Sequence, residues 1–581
     1  MRFSSLLFRT PILLLLLLGL CCFPPPGAAT AEPSVFSPRD RIHPAFAPNG
    51  MVVSQEARAS EIGLDIIKKG GNAIDAAVAV GFALAVTLPQ AGNLGGGGFM
   101  LAHNAKTGLT EAIDFREAAP AAAGRDLYLN EQGNVDEARI RFSHQAAGVP
   151  GTVAGLALAH ERHGRLPWRQ LVEPAARLAE QGFPVDAELA QSLREARERM
   201  APWPASMKIF FKADGSTYQP GETLAQPDLA ASLKSIAEQG SKAFYEGEIA
   251  QKLAADMKAH QGLITLDDFK NYRALVRAPV RGSYRGYEIV SMPPPSSGGV
   301  HLIQILNILE TWPLGELGHN SAATIHRMAE AMKLAYADRG EYLGDPDFTK
   351  VPVVGLTSKA YARELATRID PDRAKPATEI KPGQPQRHES GQTTHYSVTD
   401  RDGNAVAVTT TLNFGYGSGI VAAGTGILLN NEMDDFAAKP GIPNAYGLIG
   451  GDANAVGPGK RPLSSMTPTL AFKDGRPVLV TGSPGGSRII TTVLQILLNV
   501  IDHGMNIAEA TVAPRVHHQW LPDELRVEEG LSPDTARLLE GWGHKIVVKD
   551  VMGDTQSIVR APEGLYGFSD TRRAGGSVAG Y

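Results

Sequence analysis

Gly391-Gln392-Thr393-Thr394-His395-Tyr396-Ser397-Val398-Thr399-Asp400-Arg401-Asp402-Gly403-Asn404-Ala405-Val406-Ala407-Val408 is the stretch on which the fold turns. Tyr396, Val398, Val406 and Val408 alternate with smaller or polar residues, the period-two signature of strands. Asp400 to Asn404 is turn chemistry. A three-residue loop, Arg401 to Gly403 with Gly403 left-handed, fits a type I turn followed by a bulge. That register pairs Asp400 with Asn404, Val398 with Val406 and Tyr396 with Val408. Continued outward, it sets Thr393 opposite Thr411, with Asn413 on the same face. A two-residue Asp402-Gly403 turn would instead face Leu412 toward Thr393 and turn Thr411 away, so the register is a definite commitment.

Thr393 and Thr394 give the hairpin a second meaning. A threonine at a chain terminus carries its own base: an α-amine of pKa about 7.7–8.0 can activate its hydroxyl. An internal threonine cannot do this. Cleavage between Gln392 and Thr393 would make Thr393 such a nucleophile. Taken alone, Thr-Thr is mostly ordinary strand sequence, and the hairpin reads as plain structure.

The rest of the chain sets bounds. Its 581 residues are ample for a large core, and a formal charge of −5 with dispersed Lys and Arg argues against nucleic acid as a partner. Residues 1–31 read as a secretory signal: Arg2 and Arg9, the apolar run from Ile12, then Ala29-Thr30-Ala31 as a small-x-small cleavage site, so that Glu32 begins the mature chain. The apolar run falls short of the roughly 20 residues needed to span a bilayer. A periplasmic or secreted location follows, with no stable membrane span. Cys21 and Cys22, the chain's two cysteines, lie in this leader; lipidation there stays open, and a mature chain without cysteine excludes disulfides and thiolate chemistry. Loss of the leader, which carries Arg2 and Arg9 and no acid, takes the formal charge from −5 to −7.

Ser54 to Gly71 reads as an amphipathic helix closed by Lys68-Lys69-Gly70-Gly71. Asn72 caps a buried helix from Ala73 to about Leu88. Gly95 to Gly98 lack dinucleotide-fingerprint spacing and imply close backbone packing. Residues 150–275 read as mostly helical, with Asp186 capping Ala187 to Met200. Pro293 to Gly299 lead into a helix near Val300–Leu309. Residues 370–392, rich in Pro, Lys, Gln and Glu, read as exposed and mobile. His395 and His517-His518 lack metal-motif company and read as structural; no metal and no cofactor is expected. Gly485-Gly486-Ser487 precede an apolar helix, Ile489 to about Val500, and read either as a tight turn or as amides aimed at an oxyanion. Arg116 alone reads as a surface ion pair, and Ser464-Ser465 as a loop.

Several ordered stretches together are more specific: Asp114-Phe115-Arg116-Glu117, Gln392 to Ser397, Thr411-Leu412-Asn413, Leu428 to Phe436, Arg461-Pro462-Leu463-Ser464-Ser465-Met466, and Thr481 to Ser487. On these the chain resembles the γ-glutamyltranspeptidases, heterodimers cut from one precursor within the N-terminal-nucleophile hydrolases. The likeness runs over nearly all of the chain after the leader. It implies an α+β fold, a four-layer αββα sandwich formed jointly by interwoven chains 32–392 and 393–581. It implies Thr393 as nucleophile, Thr411 tuning it, and Gly485 and Gly486 as the oxyanion hole. Arg116, Ser464 and Ser465 would take a substrate α-carboxylate, Asp435 and Glu432 its ammonium. Asn413 would bridge to the glutamyl group, and Tyr446 would act as lid. The family carries Gln or Glu where Glu432 stands. The implied reaction cleaves γ-glutamyl amides such as glutathione and transfers the acyl group to water, amino acids or dipeptides. Two rivals stand beside it: a cephalosporin or glutaryl acylase of the same superfamily, and a non-enzymatic periplasmic binding protein for glutamyl peptides with the Gln392–Thr393 bond intact.

Overall fold

The computed structural model describes residues 42–385 and 395–581. Strand alternation sets the architecture. In Met51–Ser54, Gly97–Asn104 and Ala405–Thr411, one set of side chains (Val52, Met100, Ala102, Val406, Val408) packs beneath helices, while the alternate set (Met51, Val53, Phe99, Leu101, Ala405, Ala407) packs against a second sheet. A sheet apolar on both faces needs cover on both.

Two seven-stranded antiparallel sheets result. The first runs Ser577–Gly580, Met51–Ser54, Tyr396–Thr399, Ala405–Thr411, Gly97–Asn104, Leu109–Phe115, Leu275–Arg277. The second runs Ala45–Ala47, Gly564–Ser569, Gln556–Ala561, Arg476–Thr481, Thr469–Lys473, Tyr287–Ser291, Val280–Tyr284. Between them lies a layer of Val290, Met292, Leu470, Val480, Ile558 and Leu565 against Met51, Phe99 and Leu101. Helices Ala57–Lys68, Ala73–Thr87 and Thr152–His163 cover the first sheet, with Trp168–Gln181 packed against Ala73–Thr87; Ser297–Leu309 covers the second, with Ala322–Tyr342 and Ile489–Ile501 packed against it. This is the αββα sandwich, and both sheets draw strands from either side of residue 393.

The hairpin has the expected register: Tyr396 opposite Val408, Val398 opposite Val406, Asp400 N donating to Asn404 O at 3.2 Å, and Gly403 at φ +90°. Asn72 caps Ala73–Thr87 with a reciprocal capping box to Asp75. Asp186 caps Ala187–Met200 through Leu189 N. The first helix is shorter than its amphipathic pattern, Ala57–Lys68, because Glu56 supplies the cap by accepting from Ala59 N. The helix after Pro295 starts earlier than expected, at Ser297.

Residues 370–385 depart from the expected mobile segment. Most of their side chains are exposed, but the backbone is held. His326 Nε2 bonds Asp370 O at 2.7 Å, Ala374 N donates to Trp542 O at 2.7 Å, Trp520 Nε1 donates to Ala377 O at 2.9 Å, and Gly383 N donates to Asp338 Oδ1 at 2.7 Å. Composition reports side-chain exposure; it is silent on backbone partners supplied from distant helices.

Candidate active site

The hairpin delivers Thr411 to the end of its strand, where Thr411 pairs with Gly97. The glycine run makes that approach possible: a Cβ on Gly96 would lie 2.0 Å from Thr411 O, and one on Gly98 would lie 2.4 Å from Thr409 O. Thr411 Oγ1 accepts from Asn413 N at 2.8 Å. Asn413 has φ +74°, a left-handed backbone that asparagine tolerates better than most residues. Its Nδ2 donates to Asn431 O at 2.9 Å. Asn413 O accepts from Tyr446 Oη at 2.9 Å, and the Tyr446 ring stands edge-on to Phe414 at 5.9 Å.

From the other sheet, strand Arg476–Thr481 runs into Pro484-Gly485-Gly486 ahead of helix Ile489–Ile501. Gly485 has φ +139° and Gly486 φ +57°. A Cβ on Gly486 would lie 2.7 Å from the Tyr446 ring, so the smallness of this residue lets the ring rest there. Thr411, Asn413, Tyr446, Gly485 and Gly486 line one cavity of about 230 Å³, with Gln90 and Arg488 in its wall.

The second element is a buried charge cluster. Arg116 follows strand Leu109–Phe115 directly and is fully buried. Its Nη1 donates to Glu432 Oε1, its Nη2 to Asp435 Oδ2 at 2.6 Å and its Nε to Pro462 O at 3.3 Å; Glu117 Oε2 stands 3.8 Å from Nη1. Three carboxylates thus surround one cation. Burial favours their neutral forms, against the pull of Arg116: Glu117 is pushed up to about 7, Glu432 well above its ordinary range, and Asp435 upward. Burial works to lower the Arg116 pKa, but Glu432, Asp435 and Glu117 raise it on balance, so the guanidinium stays charged. Arg116 is therefore part of an interior cluster and not the surface ion pair that its single-residue reading suggests.

Ser464 and Ser465 are buried on the loop that supplies Pro462 O. Ser464 Oγ has no hydrogen-bond partner among the described residues. Asn444 Nδ2 reaches Asp435 Oδ1 at 3.4 Å, and Asn444 Oδ1 accepts from Tyr446 N at 3.0 Å, which ties the charge cluster to Tyr446. Thr393 and Gln392 lie outside the described residues, as does the leader.

Other participants have no sequence signal of their own. Arg461 Nη1 donates to Asp114 Oδ1 at 2.9 Å and to Arg116 O at 3.1 Å, and Tyr272 Oη donates to Arg116 O at 2.8 Å, fixing the arginine's backbone. Asn430 Nδ2 bonds Gly95 O and Gly148 O, each at 2.8 Å, and Asn430 Oδ1 receives Glu432 N at 3.0 Å, which anchors the acidic loop. Arg461 and Asn430 were visible only as members of matched blocks.

His395 is pulled down to about 3 by burial, with Nε2 2.7 Å from Ser397 Oγ and Nδ1 3.3 Å from Thr409 Oγ1. It is neutral and engaged, with no proton to trade near neutral pH. His517 is held well below its ordinary range and His518 at about 4, each first by burial.

The γ-glutamyltranspeptidase family model matches residues 59–580. The chain belongs to the γ-glutamyltranspeptidase family. It is 57% identical to the glutathione hydrolase proenzyme of Escherichia coli (strain K12), across 97% of this chain and 98% of that one. Among solved structures it resembles the cephalosporin acylase from Bacillus halodurans, with a TM-score of 0.84 at 30% identity, covering 95% of this chain and 99% of that one. It also resembles the Helicobacter pylori γ-glutamyltranspeptidase, with a TM-score of 0.57 at 47% identity over 60% of this chain and 97% of that one. Among the described residues no helix is long and apolar enough to cross a membrane.

Proposed function

We infer that this member of the γ-glutamyltranspeptidase family is a self-processed enzyme that hydrolyses γ-glutamyl amides, glutathione among them, and transfers the γ-glutamyl group to amino acids or dipeptides. In the precursor, the Thr393 hydroxyl attacks the Gln392 carbonyl and water opens the resulting ester, giving chains 32–392 and 393–581. The leader, residues 1–31, directs the precursor out of the cytoplasm. In the mature enzyme the Thr393 α-amine takes the proton of its own hydroxyl. The Thr393 oxygen then attacks the γ-carbonyl, the amine leaves, and the ester is resolved by water or by an acceptor amine.

Support for these roles comes from one observation above all. Thr411, Asn413, Tyr446, Gly485 and Gly486 line a single cavity at the open end of the hairpin whose register leads toward Thr393. Continued by three residues, that pairing would set Thr393 across from Thr411. Gly485 and Gly486 amides would stabilise the oxyanion. The charge cluster suits an amino-acid-shaped acyl group. A substrate zwitterion can insert into the existing ion pairs, its carboxylate taking Arg116 and the Ser464 and Ser465 hydroxyls, its ammonium taking Asp435 and Glu432. The strong likeness to a cephalosporin acylase keeps a plain diacid substrate as the second reading. A diacid would leave Asp435 and Glu432 without a cation, so the account expects γ-glutamyl-p-nitroanilide to be turned over at least a hundredfold better than glutaryl-p-nitroanilide, the weight of two charge-assisted contacts. Equal turnover would favour the acylase reading. Thr393→Ala should give an uncut, inactive precursor; efficient cleavage at the same bond in that variant would sink self-processing.

A further inference from the structure

His326 and Glu330 stand one turn apart on helix Ala322–Tyr342 and so share a face of it. His544, just past helix Pro533–Gly541, meets them from the part of the chain that follows residue 393. One ligand-capable atom of each lies within 4.8 Å of those of the other two, and all three residues are buried. His326 Nε2 is 2.7 Å from Asp370 O, which can only accept, so this nitrogen carries a proton. In the neutral ring the lone pair is then on Nδ1, 2.8 Å from His544 Nε2. A carbonyl that fixes the tautomer in this way is the usual outer partner of a metal-ligating imidazole. Glu330 Oε1 makes no hydrogen bond, although Lys333 Nζ stands 2.6 Å from it.

Two imidazoles and a carboxylate are donors suited to zinc and its neighbours. Bonds of about 2.0–2.1 Å to nitrogen put tetrahedral ligand atoms about 3.3 Å apart, so the two histidine nitrogens need part by only about half an ångström. His144, Asp256 and His260 make another such group among the described residues. There the two imidazoles are stacked, with centroids 4.4 Å apart and planes within 14° of parallel. Lone pairs lie in the ring plane, so those of stacked rings run side by side and do not converge on one ion. The His326 and His544 rings are inclined at 71°, with their nitrogens facing each other.

We propose that His326, Glu330 and His544 form a site for a zinc-class divalent cation, which ties the chain ahead of the proposed cut to the chain after it. The ion also braces residues 370–385, because His326 Nε2 holds Asp370 O. None of the three residues lines the cavity of Thr411 and Gly485, so occupancy is separate from γ-glutamyl turnover. Lys333 sets the affinity. Its ammonium pairs with Glu330, donates to Lys375 O and repels a second cation in the same interior.

The test titrates chelator-treated, untagged protein with Co2+ and Zn2+. Wild-type protein should take up about one equivalent of Co2+ with the visible absorption of a four-coordinate ion, and Zn2+ should displace it. His326→Ala and His544→Ala should each weaken zinc binding by about tenfold or more, at least the scale of losing an outer partner of a metal ligand. Lys333→Met should tighten it by about tenfold or more through the loss of a like charge, a gain that a poorly folded variant does not produce. Zinc should raise the unfolding midpoint of wild-type protein and of Lys333→Met, and leave that of His544→Ala in place. No four-coordinate Co2+ spectrum in wild-type protein, zinc binding unchanged in both histidine variants, or no tightening in Lys333→Met would overturn the assignment. So would zinc that His260→Ala abolishes and His544→Ala retains, which would place the ion at the stacked pair.

Discussion

In the hairpin from Tyr396 to Thr411, most polar groups are tied down by near neighbours. Ser397 Oγ donates to Gln556 O at 2.9 Å, Thr410 Oγ1 accepts from Asn93 Nδ2 at 3.1 Å, and the Asp400 carboxylate accepts from Ala73 N and Asn404 Nδ2 at 2.9 and 2.7 Å. Around Arg116 the balance is reversed. Both Glu117 oxygens, Glu432 Oε2 and Ser464 Oγ are buried without hydrogen-bond partners among the described residues, and three acids share one cation. A buried polar group left short of partners costs free energy. The hairpin is a frame, satisfied among the described residues but for Thr399 Oγ1. The cluster is an interior left short of partners.

The largest effect should follow from removing the cation. Arg116→Met would leave three carboxylates together in the interior. A loss of about 3–5 kcal/mol of stability is expected, the scale for breaking a buried pair, with kcat/KM for γ-glutamyl-p-nitroanilide down at least a hundredfold through the lost bidentate contact. Urea unfolding and steady-state kinetics check both, and Arg116→Lys should recover little, since an ammonium cannot make the fork.

Next comes the lid. Gly486→Ala places a methyl 2.7 Å from the Tyr446 ring at a φ of +57°, and should cost about 1–3 kcal/mol through crowding. Adding Tyr446→Ala should return part of that loss. Strict additivity of the two substitutions in a double-mutant cycle would mean that the ring does not rest on Gly486.

A smaller effect concerns pH. Glu117 titrates near 7 in the folded protein against an ordinary 4.5, because burial disfavours its charge. Between those values the folded protein keeps a proton that the unfolded chain has released. Stability from this group is full below about 4.5 and is lost as pH rises through 7. Glu117→Gln should flatten that decline by an amount on the order of 1–3 kcal/mol, read from denaturant midpoints across pH 4.5–7.5. A steeper decline in the variant would show that Glu117 is charged in the fold. The smallest effect should come from the frame: His395→Gln should leave the pH profile of kcat/KM unmoved, because His395 sits near 3 and exchanges no proton near neutrality.

The same contrast explains what the sequence discloses. The hairpin register was legible because Tyr396, Val398, Val406 and Val408 alternate across a turn that needs Gly403 to be left-handed. Asn72 and Asp186 were legible as caps because capping is local. The Arg116 partnerships were not, since they join residues more than 300 positions apart, and single-residue reading put Arg116 on the surface. Family resemblance named Arg116, Glu432 and Asp435 as one pocket, but not that they pair with each other or that Glu117 completes the set. Gln90 and Arg488 carry no motif at all; only the fold places them in the wall of the cavity that Gly485 lines.

The central claim is that a free Thr393 does the chemistry. Intact-mass spectrometry with N-terminal sequencing, on protein that turns over γ-glutamyl-p-nitroanilide, tests it most directly. The account predicts two chains, the smaller beginning Thr-Thr-His-Tyr-Ser. A single uncut chain with full turnover would contradict it.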